Sequence, residues 1–174
     1  EKCEADDIIA TLTKYYHQDE PIMIVSGDKD FIQLHWYKGV EQYAPIQKKM
    51  LGFDEDGIKI DAKTFLLEQI LKGDRSDGVP NILSPDDCFV TGEKQKPMTK
   101  KRLEEYSNVG NLNYELSLRY NRNKKLIDLS ELPIEYEETI INSYRSYKVN
   151  DRSKLLTYFI ENKLKSLMEN ISDF

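Results

Sequence analysis

An unbroken apolar tetrapeptide, Ile22-Met23-Ile24-Val25, is closed by Ser26-Gly27 and followed at once by Asp28-Lys29-Asp30. No other segment constrains the fold as much. Four apolar residues without polar alternation predict a strand buried on both faces, which is how strands of layered α/β sheets read. In such sheets ligand sites gather just past the carboxyl ends of the strands. Asp28 and Asp30 occupy that position. An extended backbone there would hold both carboxylates on one side, with Cα atoms about 6.5–7 Å apart.

The neighbouring segments fit an α/β arrangement. From Ala5 to Tyr16, apolar residues at Ala5, Ile8, Ile9, Leu12, Tyr15 and Tyr16 recur at helical spacing. Glu4, Asp6 and Asp7 lie at the start of that helix, where the macrodipole favours negative charge. Val40–Ala44 predicts a second strand, and residues 48–53 a hairpin partner for it. Asp61 to Lys72 predicts a helix capped by Asp61 and stopped by Gly73.

After Gly73 the composition changes. Gly78, Pro80, Pro85 and Pro97 punctuate short helical pieces through Asn108. Apolar spacing then predicts helices over 112–123, 135–147 and 154–168, with their aromatic residues in the core. The expected organisation is an α/β domain over residues 1–73, its parallel sheet incomplete at the N-terminus, and an all-helical domain over residues 74–174.

At 174 residues the chain suits one compact domain or slightly more. No apolar run reaches the roughly 18 residues of a membrane span, and no secretory segment is evident. Cys3 and Cys88 match no metal or redox spacing and read as free thiols. The net charge of −6 argues against a protein that coats nucleic acid with its whole surface, yet leaves room for a local basic footprint. The opening Glu1-Lys2-Cys3 has neither a methionine nor a strand-forming lead-in, and reads as the middle of a longer fold.

Chemistry concentrates in three acidic clusters: Glu4-Ala5-Asp6-Asp7, Ser26-Gly27-Asp28-Lys29-Asp30 and Gly73-Asp74-Arg75-Ser76-Asp77. Carboxylate oxygens suit Mg²⁺ and Mn²⁺, hard cations that keep several waters. Seven carboxylates placed together would repel one another unless divalent cations neutralised them. Each cluster alone has an ordinary explanation. Asp6 and Asp7 suit a helix start, DxD sequences are common on surfaces, and Asp74 and Asp77 could share one turn beside a Gly73 cap. Lys94, Lys96, Lys100, Lys101 and Arg102 give residues 93–102 five positive charges against one negative. By default such a run is a solvated face. His17 and His35 lie outside these motifs and read as surface or packing residues.

The three clusters together say more. Glu4-Ala5-Asp6-Asp7 with Leu12, then Ser26-Gly27-Asp28-Lys29-Asp30 with Gln33-Leu34, then Gly73-Asp74-Arg75-Ser76-Asp77 with Pro80 resemble the later motifs of the structure-specific 5′ nuclease (flap endonuclease) superfamily, whose sheet is of the PIN-like type. Tyr120-Asn121-Arg122-Asn123-Lys124-Lys125-Leu126-Ile127-Asp128-Leu129, Ile141-Asn142-Ser143-Tyr144, Tyr147-Lys148 and Ile171-Ser172-Asp173-Phe174 narrow the resemblance to the ribonuclease H branch found in T-even phages. That similarity runs from residue 1 to 174, with the chain read as the C-terminal portion ending at the natural C-terminus.

The resemblance implies a fold, a site and a set of partners. Glu4, Asp6, Asp7, Asp28, Asp30, Asp74 and Asp77 would hold or orient two Mg²⁺ or Mn²⁺ ions, with Asp28 and Asp30 closest to the chemistry. A helix–three-turn–helix-like element after Asp77 would bind duplex DNA. Asn81-Ile82-Leu83-Ser84-Pro85 replaces that element's usual glycines, which puts a bound K⁺ in doubt. Lys94, Lys96, Lys100, Lys101 and Arg102 would track phosphates. The implied activity is 5′→3′ exonuclease and flap endonuclease action on RNA–DNA hybrids, 5′ flaps and nicked duplex, removing lagging-strand primers in phage replication inside the host cytoplasm. A single-strand-binding protein and a sliding clamp would be partners, with no membrane. The family's two further aspartates and its helical arch cannot be placed in these 174 residues, so weak or absent activity is expected of them alone. One alternative is a non-catalytic duplex-binding fragment that needs an upstream half; another is an unrelated carboxylate–metal enzyme.

Overall fold

The computed structural model describes residues 3–148 and 154–173. The chain divides into two compact units, residues 1–141 and 142–174. The first begins with α1 (Ala5–Tyr16) and β1 (Ile22–Val25), followed by a 3-10 stretch over Lys29–Trp36. β2 (Val40–Ala44), β3 (Lys49–Leu51) and α2 (Ala62–Lys72) come next. The short helices α3 (Cys88–Thr91) and α4 (Lys100–Tyr106) precede α5 (Tyr114–Ile127) and α6 (Ile134–Ser146), the last of which enters the second unit.

The sheet has the order β1-β2-β3. β1 runs parallel to β2 with Ile22 opposite Val40 and Ile24 opposite Gln42, whereas β3 pairs antiparallel with β2. The expected hairpin is present, and the sheet is mixed rather than purely parallel. Ile24 packs with Ala10, Phe31, Leu34 and Val40, so α1 and the 3-10 stretch share one core with the strands.

Expectation and structure part at β1. Met23 is 48% exposed and Val25 65%, so the strand buries only one face. β1 lies at the edge of the sheet order, and the core reaches it from the side of Ile24 alone.

A second cluster forms where α2 meets the helical segments. Leu71, Ile82 and Leu83 are packed by Leu67, Met98, Leu103, Leu112 and Leu116. Fully buried Asn123 ties this region together. Its Nδ2 donates to the carbonyls of Ile70 (2.8 Å) and Pro80 (2.9 Å), while its Oδ1 accepts from Arg122 Nη2. Asn81 organises the next turn, with Oδ1 accepting from Leu83 N and Ser84 Oγ, and Nδ2 donating to Lys96 O.

The helix expected over 154–168 is two short ones, α7 (Leu155–Glu161) and α8 (Lys165–Glu169). Lys163 between them takes a positive φ of 55°, which no α-helix accommodates. The aromatic residues of this part also depart from expectation. Phe159 is buried, but Tyr114, Tyr144, Tyr147 and Tyr158 are exposed, because these helices bury a single narrow face. No helix among the described residues is long and apolar enough to cross a membrane.

Candidate active site

The Asp28–Asp30 segment is not extended. Asp28 caps the 3-10 stretch: its Oδ1 accepts from Asp30 N (3.0 Å), and its own N–H donates to Ser26 Oγ (3.1 Å). Aspartate is a strong N-cap because a short carboxylate reaches the unpaired amides of the first turn. The same capping that shapes the loop therefore fixes Asp28. Asp30, half-buried one turn further on, accepts a 2.5 Å hydrogen bond from Gln69 Nε2 on α2.

Glu4 precedes α1, and its backbone N–H donates to Asp7 Oδ2 at 2.9 Å. Asp7 is thereby engaged in helix capping. The third cluster forms a turn rather than a helix. Asp74 Oδ1 accepts from Ser76 N (2.7 Å), Ser76 Oγ (2.5 Å) and, at longer range, Asp77 N. Gly73 makes the turn possible. At φ 68° it closes α2, and a Cβ there would lie 2.4 Å from Val79 O and 2.6 Å from Pro80 C.

Acids of the three clusters influence one another electrostatically. Burial raises the Asp6 pKa, and repulsion from Asp28, Glu4, Asp7 and Asp77 raises it further. Burial also raises that of Asp30, opposed by the Gln69 hydrogen bond and reinforced by Asp28, Asp74 and Asp77. The Ser76 hydroxyl, by contrast, holds Asp74 below its ordinary value. Between them, Asp6 and Asp30 sense all the other carboxylates of the three motifs.

The donor set is entirely oxygen, as Mg²⁺ or Mn²⁺ requires. Among the described residues no three His, Cys, Asp or Glu side chains converge closely enough to enclose a bare ion. Carboxylates that repel one another without closing a cage fit a hydrated divalent cation, which retains several of its own waters.

The basic run divides. Asn81 and Ser84 pin its backbone, Asn81 N donating to Gln95 Oε1 and Lys96 N to Ser84 Oγ. Lys94, Lys96, Lys100 and Lys101 are exposed. Lys96 and Arg102 line one hollow with Tyr106 and Arg119, whereas Lys100 lines another against Glu68 and Lys72 of α2. Arg102 is held by donating from Nη1 to Pro97 O.

Sequence reasoning missed Gln42 and understated Gln33 and Gln69. Gln33 Nε2 donates to Ile127 O (3.1 Å) and its Oε1 accepts from Leu129 N (3.0 Å), so this motif residue clamps the end of α5. Gln42, fully buried on β2, donates from Nε2 to Ser26 O and Asp28 O. The available signal was a glutamine at an inward position of a strand.

An α/β domain presenting carboxylates past the end of β1, followed by helices, is the arrangement of a resolvase-like 5′-3′ nuclease. Residues 1–63 match the family described as the 5′-3′ exonuclease N-terminal resolvase-like domain, and residues 60–174 match T4 RNase H, C terminal. The chain belongs to the T4 ribonuclease H family of 5′ nucleases. It is 34% identical over 183 residues to the ribonuclease H of Enterobacteria phage T4, covering 100% of this chain and 59% of that protein. It is 30% identical over 123 residues to a Bacillus subtilis 5′-3′ exonuclease, across 66% of this chain and 38% of the relative. DNA polymerase I of Streptococcus pneumoniae is 41% identical over 88 residues, 45% of this chain and 10% of the polymerase. The chain thus spans only part of the length of each relative.

Proposed function

We propose that this chain works in a Mg²⁺- or Mn²⁺-dependent 5′→3′ exonuclease and flap endonuclease that removes RNA primers and adjoining DNA from lagging-strand fragments during phage replication. The carrying observation is that Asp6 on α1 and Asp30 on the 3-10 stretch, acids of separate motifs, both feel the charges of Asp28 and Asp77. Structural acids at helix starts and turns have no reason to share one neighbourhood. Their mutual repulsion is a cost that a bound cation removes.

Asp6, Asp28 and Asp30 would hold the cations, with Glu4, Asp7, Asp74 and Asp77 acting through waters or by orienting those ligands. Two bound ions would supply Lewis-acid activation of water and neutralise charge building on the scissile phosphodiester. The chain's own contribution is positioning. Gln69 keeps one Asp30 oxygen engaged so that the other faces the site, and the Asp28 cap fixes the loop between them. Repulsion among the acids excludes the phosphate from the site until cations are present.

Duplex would lie on the helical part, residues 74–174, against a helix–three-turn–helix-like element and the cations Lys94, Lys96, Lys100, Lys101 and Arg102. Phosphate contacts carry no sequence information, so branch structure would decide the substrate: RNA–DNA hybrid, 5′ flap or nicked duplex. A single-strand-binding protein and a sliding clamp are the proposed partners, in the cytoplasm of an infected bacterium. A second reading keeps residues 74–174 as a duplex-docking module that needs further chain for catalysis, which the partial coverage of the relatives supports.

Cleavage of a 5′-flap substrate with Mg²⁺, by this chain with and without an added N-terminal piece, tests both readings beside Asp28→Asn. Cleavage lost in Asp28→Asn is the expected result. Binding without cleavage by either form would sink the enzyme reading, and cleavage indifferent to Asp28→Asn would sink the site.

A further inference from the structure

We propose that Gln42 and His35 form a buried positioning pair that sets where the Asp28–Asp30 loop stands, and through it the site's hold on divalent cations. The proposal rests on the nuclease reading for its consequence, while the hold of Gln42 on the loop rests on hydrogen-bond geometry.

Gln42 lies opposite Ile24 in the parallel register, where a hydrophobic residue would ordinarily complete the core. It is fully buried, and its Nε2 spends both hydrogens on one loop: Ser26 O at 2.9 Å and Asp28 O at 2.5 Å. These carbonyls flank Gly27, just where the chain leaves the β1–β2 ladder after Ser26 N donates to Tyr43 O. Without these carbonyls the buried Gln42 amide would have no acceptor. A buried polar group left unpaired is costly, so the loop height is set by the reach of one amide.

The amide must also face the right way. Turned over, Gln42 would aim its oxygen at two carbonyls. His35 on the 3-10 stretch supplies the reason that it does not. His35 is buried and interacts with Gln42. Its Nε2 and Gln42 Oε1 are both buried, and neither has a hydrogen-bond partner. With His35 as the Nε2–H tautomer, a donor meets an acceptor, and closing the two would make a chain from imidazole to amide to loop. Gly52 backs the ring so closely that a Cβ there would lie 2.3 Å from Nδ1, which keeps the imidazole from swinging away. Gln42 touches no reacting atom. It acts through Asp28, as residues behind metal ligands do.

The test uses Gln42→Leu, which removes the donors, His35→Phe, which removes Nε2–H at similar volume, and His35→Gln, which can restore a donor. Three readouts are followed in the full chain: amide hydrogen exchange at residues 26–30, Mg²⁺ affinity by calorimetry, and kcat and KM for flap cleavage. The first two variants should speed exchange at 26–30 and weaken Mg²⁺ binding by about 10–100-fold. They should lower kcat while KM for DNA holds, and His35→Gln should recover most of the loss. Wild-type exchange at 26–30 in folded Gln42→Leu, or His35→Gln behaving like His35→Phe, would overturn the pair. If the wild-type chain neither bound Mg²⁺ nor cleaved, the nuclease reading would fail, while the exchange data would still judge the pair.

Discussion

Gln69 on α2 donates its side-chain amide to Oδ1 of Asp30, the half-buried acid one turn past Asp28. Burial pushes Asp30 toward its neutral form, and this hydrogen bond is the main opposing influence. Gln69→Leu would therefore let Asp30 protonate at higher pH. The acidic limb of the cleavage pH profile should move upward, with a rate loss of about tenfold on that limb for each unit moved and none on the plateau above it. A profile superimposable on wild type would separate Gln69 from the chemistry.

On the proposed function, divalent cations should raise the melting temperature of the chain at neutral pH, since they would bind the folded carboxylates and not the unfolded chain. At a hundredfold excess over Kd the gain is about 2.7 kcal/mol. Asp28→Asn removes one source of repulsion on Asp6 and Asp30. It should melt higher than wild type in EDTA and gain less from Mg²⁺. Scanning calorimetry with and without Mg²⁺ checks both signs.

Lys96 and Arg102 share a hollow, so they should contribute together to phosphate binding. Replacing either with Ala should weaken duplex affinity equally across sequences and flatten the slope of log K against log salt by about 0.9. Lys100→Ala should do less, because that side chain lines the hollow on the α2 side. Fluorescence anisotropy over a salt series measures the slopes.

His35 is held below its ordinary pKa of 6.5, first by burial and then by Lys59. The unfolded chain takes up a proton near that value while the folded chain does not. The stabilisation is therefore full above pH 6.5 and declines as pH falls below it. His35→Gln should lose this part of the acid sensitivity, seen as a smaller change in urea-unfolding free energy between neutral and mildly acidic pH.

Asn123→Leu should be among the most damaging single changes. It leaves the Ile70 carbonyl without its side-chain donor inside the helical core and Pro80 O with Arg122 Nη2 alone, at a cost of about 2 kcal/mol. A drop in urea midpoint with unchanged slope is the expected signature.

Sequence reasoning located what depends on local pattern. α1, β1, β2 and α2 stand where apolar spacing, Asp61 and Gly73 put them, because each signal acts within a few residues. It failed where partners are remote. Nothing in Ile22–Val25 reveals that Met23 and Val25 lie on an uncovered face. Apolar spacing runs straight through Asn162-Lys163, although the backbone turns there. For the candidate site, the acids were legible as motifs, but their supports were not. Gln42, Gln69 and Asn123 matter through carbonyls and carboxylates that sequence cannot pair with them.

Gln33 holds both Ile127 O and Leu129 N, so the segment that starts at Asp28 is fastened to the end of α5. A duplex seated on the helices of this unit would meet the acids at a constant offset. On the proposed function the clamp would act as a ruler, making cut position a matter of length rather than of sequence. Lengthening α5 by a turn should displace the cleavage point, readable at single-nucleotide resolution on a flap substrate; an unmoved cut would show that the measuring is done elsewhere.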